Sequence, residues 1–401
     1  MTVESMESAL ELLLAHAAPV CETEELALGE TLGRVAAQDV ASPIPVPPFD
    51  RSPLDGYALH SEDIAQASRE HPAVLRVVGE ACAGCGTVFS VARGEALLIM
   101  TGAPVPAGCD CVIRQEDTDE GMEQVQMYAP VGHMKNICFA GEDVPRGAVM
   151  LHAGEEITCA HIGVLSSLGV TRVRVYRRVR VALLSTGDEL LQPGQVLTYG
   201  KIYDANRAAL TTHLRMLDTQ AIILGSEADE PQAVADALER AAQEADLLIT
   251  TGGVSVGKKD IMHRVLPLMG AQRLFWRVAM KPGTPLLCGL YGEKPIICLS
   301  GNPFAAMACF EIFATPVIRR MAGRARWENP RVKTTVLGGF DKPSPGRRLL
   351  RARFDGQRAS VLGKNHSSGS LSSVIGCNCL IDVPAGSGPL CDGDPVEIIL
   401  L

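Results

Sequence analysis

Met6, Ala9, Leu10, Leu13, Leu14 and Ala17 recur at helical spacing, and Ser5 precedes them as an N-cap, so the pattern predicts an amphipathic helix over residues 6–17. A different texture follows. Five prolines between Pro43 and Pro53, in SPIPVPPFDRSPLDGYAL, are incompatible with regular helix and predict an ordered extended arm. From about Ala73 to Val149, short apolar runs (AVLRVVGEA, EALLIM, CDCVIRQED, QVQMYAPV) are separated by Gly, Pro and acidic clusters, which predicts a β-rich insert. Between Val179 and Met321 the pattern alternates. Apolar strands (VALLST, AIILG, DLLITT, PIICLS) are each set against helical stretches such as ANRAALTTHLRML and PQAVADALERAAQEA. That order predicts a doubly wound α/β domain, a parallel sheet with helices on both faces. The tail returns to short runs, RVKTTVLGGF, ASVLG, NCLIDVP and PVEIILL, and reads as a small β barrel or sandwich.

Composition narrows the setting. A chain of 401 residues predicts two to three domains, and 47% hydrophobic residues can fill their cores. The net charge of −9 argues against a nucleic-acid coat or a polybasic membrane binder. No apolar run approaches the roughly 20 residues of a membrane span. The start, MTVESMESALELLL, has no basic region before a cleavage site, so a cytoplasmic protein is expected. Thirteen cysteines, an odd number, fit reduced thiols better than disulfides. Cys82 and Cys85 have zinc-ligand spacing, but Cys109 and Cys111 do not complete the set, so buried free thiols are expected instead.

Chemistry collects where three strands end in a hydroxyl-plus-glycine step. These are Ser185-Thr186-Gly187, Thr251-Gly252-Gly253 running on through Ser255 to Gly257, and Ser300-Gly301-Asn302-Pro303. In an open parallel sheet, ligands bind beyond the carboxyl ends of the strands, where glycine lets the backbone approach a phosphate. Pro303 suits the first position of a helix, with Asn302 as its cap. One such loop can be a plain turn; three on one sheet favour a phosphate-bearing ligand. Gly252 to Lys258 also spells G-x-x-x-x-G-K, but Lys259 stands where a nucleotide P-loop needs Ser or Thr, which argues against a kinase or NTPase. Asp188, Glu189, Asp204, Asp229 and Asp260 punctuate the same loops, and acids there supply hard oxygen ligands for Mg²⁺ beside phosphate. In MKPGTP, Lys281 offers an ammonium to an oxyanion, with Arg277 expected on the same strand face.

PPFDRSPLDGYAL, IMTGAPVP, AGEDV, STGDEL, IYDANR, TTGGVSVGKKD, MKPG, LSGNP and HSSGSLSS…NCLI follow one another in the order of the MoeA family. The chain therefore resembles the molybdopterin molybdenumtransferases over essentially its whole length. The E-domains of gephyrin and of its plant counterpart belong to the same group. The resemblance implies four parts: residues 1–45 with 144–178 as a helical and extended part, 46–143 as the β-rich insert, 179–325 as the α/β molybdopterin-binding domain, and 326–401 as the C-terminal β domain. It implies insertion of molybdenum from molybdate into adenylated molybdopterin, with Mg²⁺-dependent release of AMP. It also implies a homodimer with shared active sites, and dealings with a molybdopterin adenylyltransferase and with recipient molybdoenzymes. Matched motif by motif, Asp55, Thr101, Asp143, Glu189, Asp229 and Asp260 are implied as catalytic, with Glu189 and Asp260 as the Mg²⁺ ligands. Lys281 and Pro282 match the pair near molybdate, Ser368 a serine of the C-terminal domain, and Arg351 its molybdate-contacting arginine.

Four departures stand out. Cys138 replaces a frequent arginine before GED, Lys258 a common acid, Thr284 the second lysine of KPGKP, and His366-Ser367 a Gln-Gly pair. They leave two alternatives open. One is a gephyrin-type scaffold that holds molybdopterin without turnover. The other is a nucleotide-cleaving enzyme of CinA type, against which the Asp55 arm and the C-terminal β domain both count.

Overall fold

The computed structural model describes residues 3–84, 86–254, 261–363 and 367–401. The pieces of chain flanking the insert meet each other. Thr23–Ala27 pairs antiparallel with Arg172–Tyr176, and Val40–Ala41 with Val149–Leu151. Leu28, Ala36, Leu151, Ile157, Leu165 and Val175 fill one core from both pieces. The helix Met6–Leu14 ends a turn earlier than its pattern suggests; Ser5 caps it by accepting from the Ser8 N–H at 3.0 Å. Its buried face, Met6, Ala9, Leu13 and Leu14, packs on the central domain rather than on this core.

The insert is a five-stranded sheet in the order Cys111–Arg114, Gly56–Leu59, Glu95–Ile99, Ala73–Ala81, Gln124–Met127. The proline arm that feeds it is stitched to its own chain. Arg51 and Cys138 exchange backbone hydrogen bonds of 2.9 Å in both directions, and Val46 bonds with Val144. The arm's donors at Val46, Arg51 and Ser52 are thus satisfied within the chain, the condition every ordered segment must meet.

The central sheet runs Gln220–Glu227, Arg180–Thr186, Leu247–Thr251, Lys294–Leu299, Leu287–Tyr291, Gln272–Trp276. The first four strands are parallel, as the alternating pattern predicts. The last two are antiparallel, because the two residues between Tyr291 and Lys294 leave room only for a hairpin. The helix Ala205–Met216 covers one face and Pro231–Ala242 the other. Arg277, expected on a strand, instead turns at φ +76° with its guanidinium 4.5 Å from the Trp276 ring.

Five C-terminal strands close into a barrel, since Arg347–Phe354 pairs both with Arg358–Val361 and with Cys379–Val383. Met280–Lys281, from the central domain, adds to it beside Arg347 and Arg348. Asp382 clasps this junction, accepting from Arg347 at 2.7 and 2.6 Å and from Arg331 at 2.9 Å, while Arg347 also reaches Glu7 of the first helix. Burial alone would push the Asp382 carboxyl up, but the two guanidinium groups outweigh it and hold the carboxyl below its usual range. A lowered pKa stabilises the fold above the ordinary carboxylate range, and that contribution is lost as pH falls through the folded value. Asp382→Asn is therefore expected to cost about 3 kcal/mol at neutral pH. Thermal unfolding should show the gap between variant and unmutated protein closing in strong acid; a gap independent of pH would count against the clasp.

The thiols divide. Cys111, Cys288, Cys298, Cys309 and Cys379 are buried as expected, but Cys21, Cys82, Cys159 and Cys391 are exposed. Cys85 lies outside the described residues.

Candidate functional site

Three neighbouring parallel strands, Arg180–Thr186, Leu247–Thr251 and Lys294–Leu299, end side by side, so their loops converge on one cleft of about 620 Å³. Thr186, Gly187, Glu189, Asp229, Thr251, Gly252, Gly253, Ser300, Gly301, Asn302 and Pro303, all singled out in the sequence, line it. A larger groove of about 740 Å³ crosses the barrel, but it holds none of the hydroxyl–glycine loops. The hydroxyl–glycine loops are gathered at the smaller one.

Glycine is required at the cleft floor. A Cβ on Gly252, whose φ is +98°, would stand 2.2 Å from the Thr186 carbonyl oxygen. A Cβ on Gly187 would meet the Glu189 carboxylate at 2.8 Å, so the turn folds that acid back over the strand end. Ser185 is fully buried beneath the floor and does not line it. Asn302 occupies the cap position of the helix Pro303–Cys309, yet its side chain makes no capping bond.

The IYDANR stretch supplies what sequence reasoning left without a role. Asn206 Nδ2 donates to Thr251 Oγ1 at 2.8 Å and to the Gly301 carbonyl at 2.9 Å, and the Thr251 hydroxyl donates to the Ser300 carbonyl at 3.1 Å. One side chain thereby fixes two ligand loops against each other. Asp204 caps the helix Ala205–Met216 by accepting from the Arg207 N–H at 3.0 Å. Ile202, Tyr203, Pro285 and Gly369 are also among the lining residues. A cap-type Asp ahead of a helical run is a local signal for Asp204, but no local signal marks Asn206.

The C-terminal domain reaches the rim through one loop. The Phe304 N–H donates to the Ser368 carbonyl at 3.0 Å. Arg351 lies under this loop with no surface exposed, donates to the Ser370 carbonyl at 2.8 Å, and stacks 4.1 Å from the Phe304 ring. Burial lowers its pKa from the usual guanidinium value. Lys281 is exposed and Pro282 buried at the barrel junction, four and three residues before Pro285; neither lines the cleft.

Other expected site residues stand elsewhere. Asp55, exposed at the end of the proline arm, accepts from the Thr101 N–H and from the Thr101 hydroxyl, both at 2.7 Å. The backbone donor first, and then the hydroxyl, hold its carboxyl below the usual range. Thr101→Val keeps the first donor and removes the second, so the Asp55 pKa is expected to rise toward, but not reach, the ordinary value in an NMR titration. An unchanged titration would show that the hydroxyl does not hold the carboxylate. Asp143 is exposed on the turn after the insert. None of the three lines the cleft. Ser255, Gly257, Lys258 and Asp260, with the last four positions of the G-x-x-x-x-G-K run, lie outside the described residues, as does His366.

The cleft wall is acidic. Its described lining includes Glu189, Asp204 and Asp229 but no Lys or Arg. An anionic phosphate ligand meets repulsion there unless a cation intervenes. No three His, Cys, Asp or Glu side chains gather into a preformed metal cage among the described residues. Mg²⁺ suits such a wall, since it is commonly held by one or two carboxylates together with ligand phosphates and water.

Comparison with known proteins covers nearly the whole chain. Residues 4–169 match the family described as "MoeA N-terminal region (domain I and II)", 182–320 "Probable molybdopterin binding domain", and 334–401 "MoeA C-terminal region (domain IV)". The molybdopterin molybdenumtransferase of Staphylococcus epidermidis is 33% identical over 377 residues, covering 93% of this chain and 90% of that protein. Its counterpart in Staphylococcus aureus is 32% identical, covering 94% and 90%. The crystal structure of the molybdopterin biosynthesis MoeA protein of Pyrococcus horikoshii OT3 superimposes with a TM-score of 0.86 at 30% identity, over all of both chains.

Proposed function

We propose, from the premise that this chain belongs to the MoeA family and is a molybdopterin molybdenumtransferase of molybdenum cofactor biosynthesis, that its cleft binds adenylated molybdopterin and releases AMP as molybdenum enters. The observation that carries this is the convergence of three hydroxyl–glycine loops on one acidic cleft. Glu189 and Asp229, with Asp260, would hold Mg²⁺, which when bound supplies neutralisation of phosphate charge. The Thr186, Gly252 and Ser300 loops hold the adenylate phosphates, and Asn206 keeps two of those loops in register. Water attacks the phosphoanhydride and AMP leaves; molybdate, the second substrate, forms two Mo–S bonds to the dithiolene thiols as one of its oxo groups departs as water with the two thiol protons. Lys281 and Ser368 meet the molybdate oxygens. Arg351, buried beneath residues 367–370, serves by positioning that loop.

The same reading makes the protein a cytoplasmic homodimer whose sites are shared. Its support is twofold. Asp55 and Thr101 form an exposed pair away from their own chain's cleft. Beside that cleft, Val196, Leu197, Tyr199 and Ile202 expose an apolar surface of the kind that marks an interface. Exchange with an adenylyltransferase and with molybdoenzymes would then use other faces.

Purified protein given adenylated molybdopterin, Mg²⁺ and molybdate is expected to release AMP, and chelation of the metal should stop it. Tight binding with no AMP under any divalent ion would replace this reading with the non-catalytic scaffold.

A further inference from the structure

Asp204 is a buried carboxylate in a ligand cleft, 3% exposed, and its Oδ2 has no hydrogen-bond partner among the described residues. Its other oxygen caps the helix. Arg207 Nε stands 3.5 Å from Oδ2, near enough to balance the charge without a hydrogen bond to it. A charged acceptor kept dry and unbonded is costly unless a ligand completes it. Two residues on, the orientation of the Asn206 amide is forced. Thr251 Oγ1 spends its proton on the Ser300 carbonyl, so it must accept; the Gly301 carbonyl can only accept. Both therefore need the amide nitrogen, and Oδ1 remains as an acceptor with no partner among the described residues.

We infer that Asp204 Oδ2 and Asn206 Oδ1 form a pair of acceptors that reads the aminopyrimidinone edge of the pterin. That edge presents two adjacent donors, the ring N3–H and the 2-amino group. The adenine edge offers one donor beside one acceptor and cannot satisfy the pair. A site built to accept two hydrogen bonds strongly rejects an analogue that lacks one. The inference rests on the proposed function, and it adds which wall of the cleft selects the pterin.

Titration of the full chain with 6-hydroxymethylpterin, 6-hydroxymethyllumazine (whose 2-position is a carbonyl) and AMP tests it. The unmutated protein is expected to prefer the pterin over the lumazine by at least about tenfold. Asp204→Asn keeps a good helix cap but turns the free acceptor into a donor. It should erase that preference while AMP affinity stays within about twofold, since the phosphate loops are untouched. Equal binding of pterin and lumazine by the unmutated protein would overturn the inference, whatever the variant does. So would a loss of AMP binding in Asp204→Asn as large as the loss of pterin. Failure of the unmutated chain to bind either pterin or AMP would instead overturn the functional reading on which the inference stands.

Discussion

Gly252→Ala is expected to cut AMP release at least about 100-fold, the loss that a misplacement of roughly 1 Å brings in a preorganised site. The added methyl would lie 2.2 Å from the Thr186 carbonyl oxygen and 2.9 Å from its hydroxyl, at a backbone φ of +98°. Neither side can give way cheaply. Thr186 ends a strand paired on both edges, and the Gly252 N–H is tied to the Leu299 carbonyl at 3.1 Å. The left-handed conformation and the overlap together cost about 2–4 kcal/mol, relieved only by parting two loops of the cleft. Gly301→Ala is the control. Its methyl would meet only the Gly252 Cα, at 3.6 Å, which is ordinary contact. Melting curves and AMP affinity should therefore separate the two variants; equal tolerance would mean that the floor is softer than its contacts imply.

Mixed dimers give the second large effect. Chains carrying Asp55→Ala and chains carrying Glu189→Ala are each expected to be inactive alone. Unfolded together and refolded, half of the dimers would be mixed. If Asp55 serves its partner's cleft, every mixed dimer holds one doubly damaged site and one intact site, so activity returns to about a quarter of the unmutated level. At Val46 and Arg51 the proline arm needs no partner subunit, because Val144 and Cys138 accept from their N–H groups. The case for sharing rests instead on Asp55, whose carboxyl Thr101 holds below its usual range, and on neither residue being among the described lining of its own chain's cleft. Flat activity, with mixed dimers confirmed by mass, would sink the shared site.

The cleft lining was legible because each loop is a local signal. A hydroxyl and a glycine at the end of an apolar run mark a strand terminus wherever that strand lies, and Thr186, Gly252 and Ser300 needed no tertiary information. Asp55 and Thr101 were legible only through the order of motifs shared with the family. Nothing in their own spacing says that the Thr101 backbone and hydroxyl would grip that carboxylate from 46 residues away. Of the thiols expected to be buried, Cys111 is and Cys82 is exposed, because composition records how often cysteine is buried, not where a particular one falls.

Hydrophobic period, turn residues and strand-end glycines determined the α/β centre, the β insert, the β tail and the class of ligand, since each depends on neighbours a few residues apart. Tertiary structure alone decided the rest: the closure of the barrel around Arg347–Phe354, the clasp on Asp382, and the Asn206 bridge between two loops. The clasp and the bridge join residues 35 to 95 positions apart. Whether such partners meet is settled by which strands share an edge and which side chains have unmet hydrogen bonds once the core has closed. No window of sequence contains that information.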